Sequence, residues 1–214
     1  MGKESEFNLG HWMDAYRTYV LENGVPPPSV YAFCKLLGAE EEKFFERYST
    51  LGAFESEIWA ERVDHVRKTL KEDGEYGDYP PRQKALAFFY TFLESIKGQR
   101  SWYLVRFPKE FAVQDPKVLA KFRTSFLEWA TPVAKEEAGE GQIATKLKAE
   151  KVMAKLLYAH FRSILKFYLE DESQGFEKTD AFVEKSSRLF FDLADTRVPE
   201  SAADLLRFLS GRKK

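Results

Sequence analysis

The side chains able to do chemistry are few and badly spaced for it. The three histidines, His11, His65 and His160, stand too far apart for a local ligand motif. None offers the His-Glu-x-x-His or His-x-x-x-His spacing by which one helical turn presents two imidazoles to a metal. His160 falls inside an apolar stretch, where a satisfied core or pocket-wall imidazole is the default. The single cysteine, Cys34, excludes an intramolecular disulfide and a multi-cysteine zinc site. It shares a short apolar face with Val30 and Leu37 and reads as a small buried hydrophobe. Glu40 to Glu42 and Glu136 to Glu140 are glutamate-rich but lack the Glu-x-x-His repeat of a di-iron bundle. Gly139-x-Gly141 lies in an acidic loop, wrong for cradling phosphate. No catalytic residue, metal or cofactor is therefore expected, and an enzyme is not the reading.

The elements that carry these residues are helices. Apolar residues recur at spacings of three and four almost throughout, and no sustained period-two run is bounded by turns, so the fold class is all-α. The pattern predicts nine or ten helices over 214 residues, of which 44% are apolar and 15% aromatic, enough for a substantial core. Helices are expected at about Leu9 to Glu22, Val30 to Leu37, Glu40 to Tyr48, Leu51 to Lys71, and Pro80 or Pro81 to Lys97. Further ones follow at Trp102 to Phe111, broken at Pro108, then Pro116 to Glu137, Gln142 to Glu170, Phe176 to Ala194 and Glu200 to Leu209. Asn23-Gly24 and Gly38 are placed to end helices, and Ser29 to cap one. The block ALAFFYTFL and the run VMAKLLYAHFRSILKFYL are apolar over more than one stripe, which calls for partners on two sides.

The net charge of −1 gives no overall pull toward nucleic acid or an anionic membrane. No apolar run approaches the ~18 residues of a membrane span. The chain is expected to be a soluble cytoplasmic protein.

Between Ser29 and Leu51 the sequence SVYAFCKLLGAEEEKFFERYSTL sets two short helices about a glycine turn. With the helix before it and the linking helix after it, this stretch resembles the tetracycline-repressor (TetR) family. The resemblance is carried by Glu22-Asn23-Gly24, Ser29-Val30, Leu37-Gly38-Ala39-Glu40, Phe44-Phe45-Glu46-Arg47-Tyr48 and Thr50-Leu51-Gly52-Ala53-Phe54. It implies a helix-turn-helix head over residues 1–50 and a larger ligand-binding and dimerising helical body over 51–214.

The apolar frame matches the family while the contact positions depart from it. Glu40, Glu41 and Glu42 occupy places that are small, basic or glycine in the family. Phe45 stands for a tyrosine whose hydroxyl reaches phosphate, and Leu51 for a lysine. Lys35, Lys43 and Arg47 against Glu40, Glu41, Glu42 and Glu46 leave one net negative charge on the head, and phosphate neutralisation supplies most non-specific DNA affinity. The glutamates themselves have a plain structural use, since acidic residues favour a helix N-terminus.

What the resemblance implies for sites follows residue by residue. Ser29, Lys35, Lys43 and Arg47 are the DNA-contact candidates. Phe89, Trp102, Tyr103, Phe122, Phe126, Trp129, Tyr158 and Phe161 are the candidates to line a pocket for a hydrophobic or lipid-like ligand, although ordinary core accounts for most such aromatics. Val152, Leu156, Ile164, Val183, Ser186, Ser187 and Phe190, on the last two long helices, are the candidates for a homodimer contact. The functional expectation is a dimeric, ligand-responsive transcriptional regulator. The alternative is a protein of the same fold that binds a hydrophobic or lipid-like ligand, or a protein partner, and no longer reads DNA. The glutamates, Phe45, Leu51 and the aromatic body speak for that alternative, and the segment YLEDESQGFEKTDAFVEKS is similar to the end of the ubiquinone-biosynthesis lipid-binding proteins, which share the fold without acting as DNA-binding repressors.

Overall fold

A computed structural model describes residues 8–108, 116–137 and 143–195, with backbone alone for 143–149, 194 and 195. Nine α-helices run through the described residues: α1 Leu9–Asn23, α2 Val30–Leu37, α3 Glu41–Phe45, α4 Leu51–Glu72, α5 Pro81–Ile96, α6 Arg100–Arg106, α7 Ala120–Glu137, α8 Ile143–Glu170 and α9 Glu177–Asp195. The helix expected at Glu200 to Leu209 lies outside the described residues.

Local chemistry fixes most of the ends. The side chains of Asn8, Ser29 and Thr50 accept from the amides of His11, Ala32 and Ala53 and so start α1, α2 and α4. Gly24 and Gly38 close α1 and α2 in the left-handed region, at φ 71° and 63°, which a side chain would strain. Pro81 opens α5, where its missing N–H costs nothing. Phe107, held extended before Pro108, ends α6.

Among the boundaries that differ from the periodicity, those of α3 and α7 have a local cause. Helix α3 stops at Phe45 rather than Tyr48, because the chain must turn out before Thr50 adopts its extended cap. Helix α7 starts at Ala120, after a 3-10 turn over Lys117–Leu119.

One buried core continues from head to body. In the head, Trp12 and Tyr16 of α1, Phe33 of α2, Phe44 of α3 and Phe54 of α4 meet mainly edge to face, as between Tyr16 and Phe33 at 5.6 Å. In the body α4 packs on α7, α7 on α8, and α5 against α4, α7, α8 and α9. The block ALAFFYTFL is central for that reason.

Arg100 of α6 holds the far end of α8. Its Nη2 donates to the last carbonyls, those of Tyr168, Leu169 and Asp171, while the guanidinium lies over the rings of Tyr168 and Phe176. The carboxylate of Asp171 accepts from the amides and hydroxyls of Ser173 and Thr179 and sets the turn into α9.

Candidate functional site: the reading head and its joint with the body

Helices α2 and α3 form the two arms of the head, joined through Gly38, with the Ala39 amide donating to the Cys34 carbonyl. Phe33, Cys34 and Phe44 point inward; Ser29, Lys35 and Arg47 are exposed and Lys43 is half-buried. These four DNA-contact candidates share the head with the acidic triplet. Glu40 and Glu42 are exposed and Glu41 half-buried, and Glu40 makes no side-chain cap at α3. Phe45 is 52% exposed, so the position expected to carry a phosphate-reaching hydroxyl presents a bare ring to solvent. The Ser29 hydroxyl accepts from the Ala32 amide, which leaves its proton available to an outside acceptor. Burial, followed by Glu41 and Glu40, pushes the Cys34 thiol up from its ordinary value, consistent with a packing role rather than a reactive one.

The head is tied to the body by a buried polar joint that the sequence did not reveal. Glu55 of α4, only 2% exposed, accepts from the Tyr16 hydroxyl of α1 at 2.8 Å. It also receives a two-pronged bond from Arg106 of α6, at 2.8 and 2.9 Å. Burial, and then Glu55, raises the Tyr16 phenol far above its usual value, so it remains a donor. Beside it the Arg17 guanidinium of α1 lies over the Trp102 ring of α6. One carboxylate thus joins three helices: α4 and α6 share the ion pair, and α1 cannot move away from it without taking the Tyr16 hydrogen bond from a buried carboxylate. The available signal was Glu55 itself, a charge four residues before Trp59 and eight before Val63 on one apolar stripe.

The eight pocket candidates are gathered in the body, where they pack against one another. Phe89, Trp102, Tyr103, Phe122, Phe126 and Phe161 are wholly buried, and Tyr158 and Trp129 nearly so. Phe161 stands at the centre, 5.1 Å from Phe126, 5.3 Å from Phe89 and 6.2 Å from Phe122 between ring centroids. Trp102 and Tyr103 join a second group around Trp59. Of the eight, Trp129 lines a cleft, at the surface between α4, α5 and α7. The others fill space among themselves, which is the core reading of aromatic content.

The dimer candidates divide. Ile164, Val183 and Ser187 are fully buried inside the protomer, whereas Val152, Leu156, Ser186 and Phe190 are half-buried. Ser187 is turned inward onto His160, whose Nε2 lies 3.3 Å from the Ser187 hydroxyl. The outer face of α8 and α9 carries Phe167 and Phe182, stacked at 4.5 Å, and Leu189 and Leu193, more than half exposed.

No group of His, Cys, Asp and Glu side chains among the described residues could hold a metal ion. None of the described helices is long and apolar enough to cross a membrane.

Two short helices joined through Gly38 have the layout of a helix-turn-helix, and the described residues beyond them are helical. Residues 84–209 match the family model described as the tetracyclin repressor-like C-terminal domain, and the chain belongs to the tetracycline-repressor family. A search of curated proteins returned no match.

Proposed function

We propose that the protein is a homodimeric transcriptional regulator whose head binds DNA and whose body answers a small ligand. The observation that carries this reading is the joint at Glu55. A head that only filled space would need no buried charge network, whereas one whose angle matters gains from a joint that is either made or broken. A ligand that shifted α4 or α6 would pull on Arg106 and Glu55, and through Tyr16 on α1. Dimerisation uses the outer face of α8 and α9, where Phe167, Phe182, Leu189 and Leu193 lie beside the half-buried Val152, Leu156, Ser186 and Phe190. An apolar strip of this extent calls for a second copy.

The acidic triplet and the exposed Phe45 favour a second reading, a protein of this fold that binds a hydrophobic ligand or a protein partner without reading DNA. One experiment separates the two. The dimer is first established by light scattering at tens of micromolar, then selected against random duplexes at low salt. Enrichment of a two-fold symmetric sequence supports the regulator. A monomer refutes the dimer, and a dimer that enriches no sequence hands the head to the second reading.

A further inference from the structure

The body carries a cleft of about 480 Å³ between α4, α5, α7 and the 3-10 turn Tyr76–Asp78. This lies within the usual range for small-molecule sites. Its α4 residues, Arg67 to Lys71, stand at the opposite end of that helix from the head, roughly 25 Å along its axis. The floor is apolar: Leu70, Trp129, Pro132 and Val133 line it, with the Trp129 indole stacked on Phe88 at 3.9 Å.

The rim decides the ligand's charge. Three cations line the cleft, and two are already engaged. Arg67 holds Asp64 and Glu128 at 3.2 and 3.0 Å, and Lys84 holds Glu136 at 2.6 Å. Lys71 is exposed and pairs with no carboxylate among the described residues. Glu128 and Glu136 are taken by Arg67 and Lys84, so Lys71 is the cation lining the cleft that has no carboxylate partner among the described residues.

Tyr76 supplies a second donor. The Trp129 Nε1–H donates to the Tyr76 oxygen at 2.8 Å, which leaves the phenolic proton to be given elsewhere. Burial pushes that phenol up from its ordinary value, so the proton stays on near neutrality.

We propose that this cleft binds a small planar aromatic monocarboxylate, its ring on the Trp129 and Leu70 floor and its carboxylate held by Lys71 and the Tyr76 hydroxyl. The Lys71 ammonium can pair with one ligand carboxylate, whereas the second charge of a dianion would meet Glu128 and Glu136 with Arg67 and Lys84 already engaged. A flat ring suits an indole floor. The assignment deepens the ligand-responsive reading, on which it rests only for the effect on DNA.

The test is calorimetric titration of the full chain with 2-naphthoate and with 2-naphthamide, which has the same shape and no charge. The carboxylate is expected to bind about tenfold or more tightly than the amide, the ratio a charge-assisted hydrogen bond provides. Lys71→Met, at an exposed position, should bring naphthoate down to the affinity of the amide. Equal affinity for the two probes, no binding of naphthoate at millimolar concentration, or an unchanged Kd in the Lys71→Met protein would each overturn the proposal. DNA binding is then measured with and without naphthoate. Binding at the cleft that leaves the DNA complex untouched sinks the ligand-responsive reading and leaves the site standing.

Discussion

Replacing Glu40, Glu41 and Glu42 by Ser, Lys and Gly tests whether charge alone limits the head. The substitution moves the net charge over Ser29 to Leu51 from −1 to +3. The structure says the fold will survive it. Glu40 and Glu42 are exposed, Glu41 is half-buried, and the Glu40 side chain makes no bond at the cap of α3. A serine at position 40 can accept from the α3 amides and add about 1 kcal/mol of capping. Glycine at position 42 takes away about 1 kcal/mol, and the lost acidic charges at the helix start roughly 0.3–1 kcal/mol each. The net cost is small against a domain's stability.

On DNA the change should be plain. Each new phosphate contact steepens the log-log salt slope by roughly 0.9, so a single one, made by the lysine that replaces Glu41, makes affinity fall about 3.5-fold more between 50 and 200 mM salt. Fluorescence anisotropy on a random-sequence duplex across that range reads both the rise in affinity and the slope. A substituted protein that stays folded and dimeric yet binds DNA no better would refute the reasoning. The missing hydroxyl at Phe45 and the missing cation at Leu51 would then be what disables the head.

Removing the partner of Glu55 should be costly. Arg106→Ala leaves a nearly inaccessible carboxylate with Tyr16 alone, and breaking a buried pair costs about 3–5 kcal/mol. The lower end is expected because Arg106 is itself about a quarter exposed, at 24%. A loss under about 1 kcal/mol in urea denaturation would show that water screens the joint. His160 gives a pH signature: burial lowers its folded pKa to about 4, while the unfolded chain titrates near 6.5. Between those values the unfolded state binds more protons, so stability falls as pH falls from about 6.5 to 4 and this component ends below 4. Its slope is at most about 1.4 kcal/mol per pH unit. His160→Gln should remove it, and identical stability slopes in the two proteins over that window would refute the assignment.

The aromatic body shows where reading by spacing ends. Periodicity says that α5 and α8 are apolar over more than one stripe, and they are, but it does not say which stripe meets which neighbour. Ile164, Val183 and Ser187 therefore read as outward candidates and turn out to be enclosed within the protomer. Phe126 and Phe161 read as pocket lining and are found 5.1 Å apart, each filling the space beside the other.

What the sequence determined by itself is what neighbours in the chain decide. Ser29 and Thr50 cap their own helices three residues on, Gly24 and Gly38 take up a backbone angle other residues resist, and a three-to-four spacing makes a helix before any partner arrives. The departure of Glu40 to Glu42 and Phe45 from a DNA-reading pattern is equally local, since it rests on residue type at a fixed place after a turn. Only the tertiary structure decided the joint of Tyr16, Glu55 and Arg106, the turning of Ser187 onto His160, and the meeting of Lys71, Tyr76 and Trp129 around one cleft. Most of those partners are separated by tens of residues. A charge or hydroxyl becomes a joint or a ligand contact only when packing removes water from around it and leaves another polar group as the one available partner.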